Sequence, residues 1–338
     1  MEIIRCHAYA RAGLIGNPSD AYNGKTIAVI VKNFRARVTL YEWDRIEIIP
    51  SPSDESVFCS IREMTQDVKL HGYYGGIRLV KAAIYGFAAY CKNCGIRLHE
   101  RNFSIRYDTN IPRQVGMAGS SAIVVATLRA LSSFYGVVIS KRVFPSLVLS
   151  IEREQLNISA GLQDRVAQVY EGCVYMDFSK AAESVEEGFI CGSYEELPLS
   201  LLPSFYVSYS TDFGEPTEVF HSNLRFRYDN GEICVVEAMS KFAEITIEAK
   251  AAILNRDWDK LGFLINQNFD LRRSICQLPQ EHILMVETAR SCGVSAKFAG
   301  SGGAIVGICP DQNKLAILRE KMEKIGCKTV EVSYTDQS

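Results

Sequence analysis

The chain has 338 residues and a formal net charge of −2. That length is ample for two domains with well-filled cores, and the near-neutral charge, with no basic tail or Lys/Arg block, argues against nucleic-acid and membrane partners. The N-terminus "MEIIRCHAYARAGLIG" has no cationic stretch leading into an apolar one, and no run of about 18 apolar residues occurs, so neither a secretory signal nor a transmembrane helix is expected.

Eleven cysteines are scattered along the chain. Without a secretory signal they read as reduced thiols of a cytoplasmic protein. Cys91 and Cys94 form the one close pair, best read as a helix end. His7, His71, His99, His221 and His282 show no metal-ligand spacing, so no histidine-based metal site is expected.

From the N-terminus, Lys25 to Trp43 is rich in β-branched residues. Near its end Ala36, Val38 and Leu40 alternate with Arg35, Arg37 and Thr39, which reads as a strand pair or one long bent strand. Helices are expected over "SIREMTQDVKLH" and "GIRLVKAAIYGFAAYCKN", then a strand over "NFSIRYDTNIP". Ser120 to Tyr135 reads as an apolar helix stopped by Gly136. "FPSLVLSIEREQLN" reads as a further helix, and "LQDRVAQVYEGCVYMDF" as a helix and then a strand after Gly172. The pattern weakens between Lys180 and Ser200, which sets a domain boundary there, giving 1–185 and 186–338. Beyond it come a strand, "FYVSYST", and three helices over "GEICVVEAMSKFAEITIEAKAAILNRD", "WDKLGFLINQNFDLRRSI" and "EHILMVETARSCG". A glycine-interrupted strand pair, "AKFAGSGGAIVGICP", precedes a last helix and strand. Both halves are α+β, with no internal repeat.

The loop "GMAGSSA", Gly116 to Ala122, opens the apolar helix. A helix N-terminus presents free N–H groups and about half a positive charge. Glycines let backbone approach an anion closely, so the loop is built like a phosphate cradle. It is not a Walker A loop; "SDAYNGKT" falls short, with Ser19 where the first glycine should stand. Two other stretches carry close-approach glycines. "YARAGLIGNPSDAYNG" combines Arg11, Gly13, Gly16 and Asp20, and "AKFAGSGGAIVG" combines Lys297, Gly300, Ser301, Gly302 and Gly303.

In this order, "RAGLIGNPSD", "PRQVGMAGSSA" and "KFAGSGGA" resemble the three motifs of the GHMP kinases, and the resemblance runs the length of the chain. "GYYGGIRL", "YDTNIPRQVG", "AGLQDRVAQVYEG", "MDFSK" and "NFDLRRSI" are similar to the branch that phosphorylates D-glucuronate at its anomeric hydroxyl. There are departures. Ala8 and Tyr9 replace the usual Pro-Gly, Asn17 and Pro18 replace Glu-His, and Met117 and Ala118 stand where Leu-Gly is common.

The resemblance implies a two-domain fold. The N-terminal domain would be of the ribosomal-protein-S5-domain-2 type with a left-handed βαβ unit, and the C-terminal domain ferredoxin-like. It implies ATP and Mg²⁺ as cofactors and a uronic acid as acceptor, giving the 1-phosphate and ADP. Another sugar or uronate, such as galacturonate or a heptose phosphate, a related decarboxylation, or a non-catalytic ligand sensor are the alternatives. Asp164 maps to the catalytic aspartate and Arg11 to the arginine beside it. Pro112, Gly116, Met117, Ala118, Gly119, Ser120, Ser121 and Ala122 map to the ATP phosphate loop. Glu152, twelve residues before Asp164, maps with Ser121 to the metal position; Glu154 reads as a solvated charge. Asp20 maps to the sugar-hydroxyl contact, with Tyr22, Gly300, Ser301 and Gly302 bordering the acceptor. A uronate's carboxylate calls for a fixed cation. Asn268, Arg272 and Arg273 on one expected helix are the candidates, with Arg78 and Arg113 as alternates. Oligomeric state is not readable from the sequence.

Overall fold

The structure is a computed structural model that describes residues 2–51, 75–158, 160–211 and 218–334. The strands are β1 (Ile3–Ile15), β2 (Lys25–Trp43), β3 (Glu47–Ile49), β4 (Asn102–Thr109), β5 (Cys173–Asp177), β6 (Ser184–Glu186), β7 (Phe189–Cys191), β8 (Ser193–Leu197), β9 (Phe205–Ser210), β10 (Lys297–Phe298), β11 (Ala304–Ile308) and β12 (Cys327–Glu331). The helices are α1 (Gly76–Asn93), α2 (Gly119–Tyr135), α3 (Phe144–Ser150), α4 (Gln163–Tyr170), α5 (Glu218–Asp229), α6 (Ile233–Leu254), α7 (Trp258–Ile275), α8 (Gln280–Ser291) and α9 (Gln312–Glu323).

Lys25 to Trp43 is one strand, not two. β1 pairs along nearly all of one edge of β2, while β4 takes Ala36–Trp43 and β5 takes Lys25–Val29 on the other. The first sheet runs β3-β4-β2-β5-β8, with β1 beside β2. β3 and β4 are parallel and joined through α1, which makes the βαβ unit. β8 at Ser193–Leu197 belongs to this sheet, so it runs past the 185/186 boundary expected from composition. The second sheet has the order β10-β11-β9-β12, antiparallel throughout. With the helices between β9 and β10 and α9 between β11 and β12, this is a ferredoxin-like arrangement.

Most of α2 is buried, from Ser121 through Leu131 apart from Arg129, because the helix lies between β1, β2 and α1. An apolar sequence all round is what that position requires. The helix begins at Gly119, one residue earlier than expected, and stops at Gly136 with φ 66°. α1 ends at Asn93 with Cys94 as its C-cap, in line with the reading of that cysteine pair. The helix expected over 144–157 is regular only to Ser150 and continues as a π turn, Ile151–Gln155. α5 and the β6–β7 hairpin had no sequence signal. The helix expected over "SIREMTQDVKLH" lies outside the described residues. Among those described, no helix is long and apolar enough to cross a membrane.

Candidate active site

The three glycine-bearing motifs meet. Gly116 has φ +69°, and a Cβ there would crowd Ser301 and Gly302; a Cβ on Gly300 would run into the Gly116 carbonyl and the Arg11 guanidinium. Gly13 N donates to Ala299 O at 2.7 Å. Apart from Arg11, the residues at these crossings are small because backbone must approach backbone.

The second motif is held in an unusual shape. Gln114, Gly116 and Ala118 all have left-handed φ values, 57°, 69° and 60°. For a non-glycine residue that conformation costs about 1 kcal/mol or more, so the surroundings must enforce it. At Ala118 the enforcement is visible: its carbonyl accepts Gln168 Nε2 at 2.8 Å and Ala122 N at 3.1 Å. Gln168 also donates to Tyr9 O at 3.0 Å, which ties the loop to β1. No side chain caps the N-terminus of α2, so the N–H groups of its first turn are left for another acceptor. Met117 and Ala122 are buried side chains and offer the loop only their backbone. Pro112 and Ser120 are partly exposed along it.

Arg11 points inward from β1 and is 4% exposed. Its Nε donates to Asp164 Oδ1 at 2.6 Å, and its Nη1 to Gly116 O at 2.7 Å and Ala299 O at 3.0 Å. One side chain thus touches all three motifs and the first turn of α4. Burial would push the Asp164 carboxyl up, but the guanidiniums of Arg11 and Arg165 outweigh it and hold the pKa below its ordinary value. Asp164 is therefore an ionised, oriented hydrogen-bond acceptor and a weak base.

Glu152 is fully buried, and the π turn is what brings it inward. π turns inside helices often mark functional positions. Arg165 Nε donates to its Oε2 at 2.5 Å, and Ser121 Oγ donates to Oε1 at 3.0 Å. Burial would strip the Arg165 proton, but Glu152 and Asp164 outweigh it and raise its pKa. Ser121 and Glu152 thus place a hydroxyl and a carboxylate oxygen side by side, the kind of donors a hard cation takes. Among the described residues no group of three or more His, Cys, Asp and Glu side chains could hold a metal by itself. Any cation here would need further oxygens from a ligand.

Asp20 sits on the short turn after β1, against Gly161, with its Oδ2 3.4 Å from Gln163 N. Burial and the nearby Asp164 charge push its pKa up to about 6, against the pull of the Gln163 N–H, Arg165 and Arg11. Tyr22, 6% exposed, packs on Tyr228 with ring centroids 4.8 Å apart.

The structure gives the three residues of the expected carboxylate clamp different partners. Asn268 is fully buried, and both ends of its amide are spent on the first motif: Gly16 N donates to Oδ1 at 2.6 Å, and Nδ2 donates to Asn17 O at 3.2 Å. Arg272, 6% exposed, lies over the Phe298 ring and donates to Gly300 O at 2.7 Å and Ser301 O at 3.1 Å. It shapes the third loop. Arg273 faces outward and pairs with Glu287 at 3.0 Å. Consecutive helix residues lie about 100° apart, and packing turned Arg272 under the loop and Arg273 into solvent.

Several residues that tie these elements together gave no separate signal. Arg165, Gln163 and Gln168 lie within "LQDRVAQ", which read only as part of a helix. Lys297 is 2% exposed, and its Nζ donates to Gly13 O at 2.6 Å, Asn17 Oδ1 at 2.5 Å and Phe298 O at 2.7 Å.

A family model, GHMP kinases N terminal domain, matches residues 78–172. The chain is 43% identical over 331 residues to Glucuronokinase 1 of Arabidopsis thaliana, covering 96% of this chain and 90% of that protein. Probable glucuronokinase 2 of the same plant is 44% identical, covering 94% and 88%. Among solved structures, Lactococcus lactis galactokinase complexed with galactose superimposes with a TM-score of 0.79 at 14% identity, covering 98% of this chain and 93% of that one. A D-glycero-D-manno-heptose 1-phosphate kinase from Bacteriodes thetaiotaomicron gives 0.68 at 20% identity, covering 97% and 95%. At these low identities the structures speak for the fold, whereas the plant relatives match at high identity over nearly the whole chain. The chain therefore belongs to the GHMP kinases and is a small-molecule kinase of their two-domain α+β fold.

Proposed function

We propose that the chain transfers the γ-phosphoryl group of ATP to the anomeric hydroxyl of D-glucuronate, giving glucuronate 1-phosphate and ADP. Kinship with the plant glucuronokinases over nearly the full chain carries the choice of acceptor. The Arg11–Asp164 pair beside the uncapped start of α2 supports the chemistry.

Phosphoryl transfer passes through a loose transition state, so positioning and charge stabilisation contribute more than a strong base. In this reading the first-turn N–H groups of α2 and the Gly116–Ser121 backbone take the ATP phosphates. Asp164 accepts a hydrogen bond from the C1 hydroxyl, aims its oxygen, and takes the proton late, which suits a carboxylate of low pKa. Arg11 stands over the charge that spreads across the transferring group. Asp20 accepts from a second sugar hydroxyl. Ser121 Oγ and Glu152 Oε1 would hold Mg²⁺ together with phosphate oxygens and water. When bound, the ion neutralises charge between the β- and γ-phosphates.

The test is turnover with ATP and Mg²⁺ on a panel of D-glucuronate, D-galacturonate, D-glucose, D-galactose and a heptose phosphate. ADP release gives the rate and phosphorus NMR the position of the new ester. A glucuronate ester at C1 formed faster than any other product is the expected result. Turnover of another acceptor with none on glucuronate would refute the substrate and leave the kinase.

A further inference from the structure

On α7, Arg273 pairs with Glu287 and Arg272 lies under the third loop, which leaves a place for another cation to meet a uronate's carboxylate. We propose that Arg153 is that cation, an inference that rests on the glucuronate reading above.

Five arginines stand in the electrostatic neighbourhood of Asp20 or Tyr22: Arg11, Arg153, Arg165, Arg225 and Arg272. Arg11 pairs with Asp164 and Arg165 with Glu152. Arg225 pairs with Asp229 at 2.8 Å and also donates to Ala21 O. Arg272 is buried under the third loop. Of the five, Arg153 alone is both exposed and without a carboxylate partner among the described residues.

Arg153 is also fixed in place. It lies on the π turn, one residue after buried Glu152, on the outer side of that turn. Its Nε donates to Ala160 O at 3.0 Å, and its Nη2 reaches the same carbonyl. That fastens one edge of the guanidinium, and among the described residues Nη1 makes no hydrogen bond. A planar fork anchored on one side and open on the other suits a bidentate carboxylate.

The position matches the acceptor. In a uronate pyranose the C1 hydroxyl and the carboxylate on C5 flank the same ring oxygen, so the group that reads the carboxylate must stand beside the group that takes the hydroxyl. Ala160, which anchors Arg153, is followed by Gly161, against which Asp20 packs, and then by Gln163 and Asp164. Four residues of extended chain span at most about 14 Å, and the turn into α4 shortens that. The Asp20 carboxylate is close enough to be felt by both Arg153 and Asp164.

The experiment compares wild type, Arg153→Gln, Arg153→Lys and Arg225→Gln on D-glucuronate, its neutral amide D-glucuronamide, and D-glucose. Arg153→Gln should lower kcat/KM for glucuronate by about 10–100-fold, the worth of a hydrogen-bonded charge pair. The amide and glucose should stay within about threefold, and the KM for ATP and the melting temperature should be unchanged. Arg153→Lys should fall between, since an ammonium keeps the charge but loses the fork. Retained selectivity in Arg153→Gln overturns the assignment, as does its collapse in Arg225→Gln instead. Equal use of glucuronate and glucose by the wild type overturns the uronate reading itself, a result read without any variant.

Discussion

Replacing Asp20 by Asn should make the protein more stable and less active, and the gain should depend on pH. The Asp20 pKa is raised from 3.8 to about 6, first by burial and then by Asp164. A carboxyl with a raised folded pKa stabilises the native state below its unfolded pKa, and that stability is lost as pH climbs through the folded value. At neutral pH the folded protein therefore carries a penalty for the charged Asp20. A shift of about two units sets the ceiling near 3 kcal/mol. Asp20 keeps some contact with water, which screens the charge, so about 1–2 kcal/mol is the working figure. Thermal melts of wild type and Asp20→Asn without ligand, from pH 4 to pH 8, test this. Near pH 4 the two should melt together; above pH 7 the variant should gain about 2–5 °C. The variant should also need more acceptor, since an amide is a poorer partner for a sugar hydroxyl. A melting difference that stays constant across the range would refute the argument, because only the titration of Asp20 separates the two proteins.

Asp164→Asn should keep the fold, since an amide oxygen can still accept from Arg11 Nε, and should cut kcat by about 10²–10⁴ with the KM for ATP little changed; activity within a few-fold of wild type counts against the role given to this carboxylate. Gly116→Ala should abolish ATP binding as read by isothermal titration, because both its φ of +69° and its contact with Ser301 reject a Cβ, whereas Gly119→Ala should keep the melting temperature of the wild type, since of the protein a Cβ there meets Ile111 at 3.4 Å. Ser121→Ala should raise the Mg²⁺ concentration needed for half-maximal rate at fixed ATP, with little loss of stability. Glu152→Gln should raise the same midpoint but also lower the melting temperature, because it removes the nearer of the two carboxylates paired with buried Arg165, at a cost of about 1–3 kcal/mol with Asp164 still 3.5 Å away; unchanged midpoints in both would remove the metal site.

How far the sequence could be read depended on whether a residue's partner was near it in the chain. The start of α2 was legible because a polar loop against an apolar run is a local contrast, and it was off by one residue because left-handed Ala118 is the N-cap, so that Gly119 already belongs to the helix. Arg11 and Asp164 were legible through motif likeness, although 153 positions separate them. Glu152 was found by its spacing from Asp164, but its burial was not, because periodicity draws a straight helix and cannot foresee the π turn that rotates it inward. For Arg272 and Arg273 the helix was legible and the partners were not. Their charges were visible, while the carbonyls of Gly300 and Ser301 that claim Arg272 belong to a loop nearly thirty residues on. Arg165 and Gln168 were hidden for the same reason: only the packing of α4 against β1 and the phosphate loop makes its polar face an inner one.

Lys297 and Asn268 bind the first motif from the opposite half of the chain, and what they hold is mostly main chain: the carbonyls of Gly13 and Asn17 and the N–H of Gly16, with one side-chain oxygen, that of Asn17. Burial, with Arg272 and Arg11 nearby, pushes the Lys297 pKa well below its ordinary value, and among the described residues the hydrogen-bond partners of its Nζ are oxygens of Gly13, Asn17 and Phe298. Pulling the halves apart would leave both sets of polar groups to water and the first motif without its mould. Neither half expressed alone should then reproduce the Arg11 setting. Melting should follow a single transition by calorimetry and by activity, with no population in which one half stays folded while the other is lost.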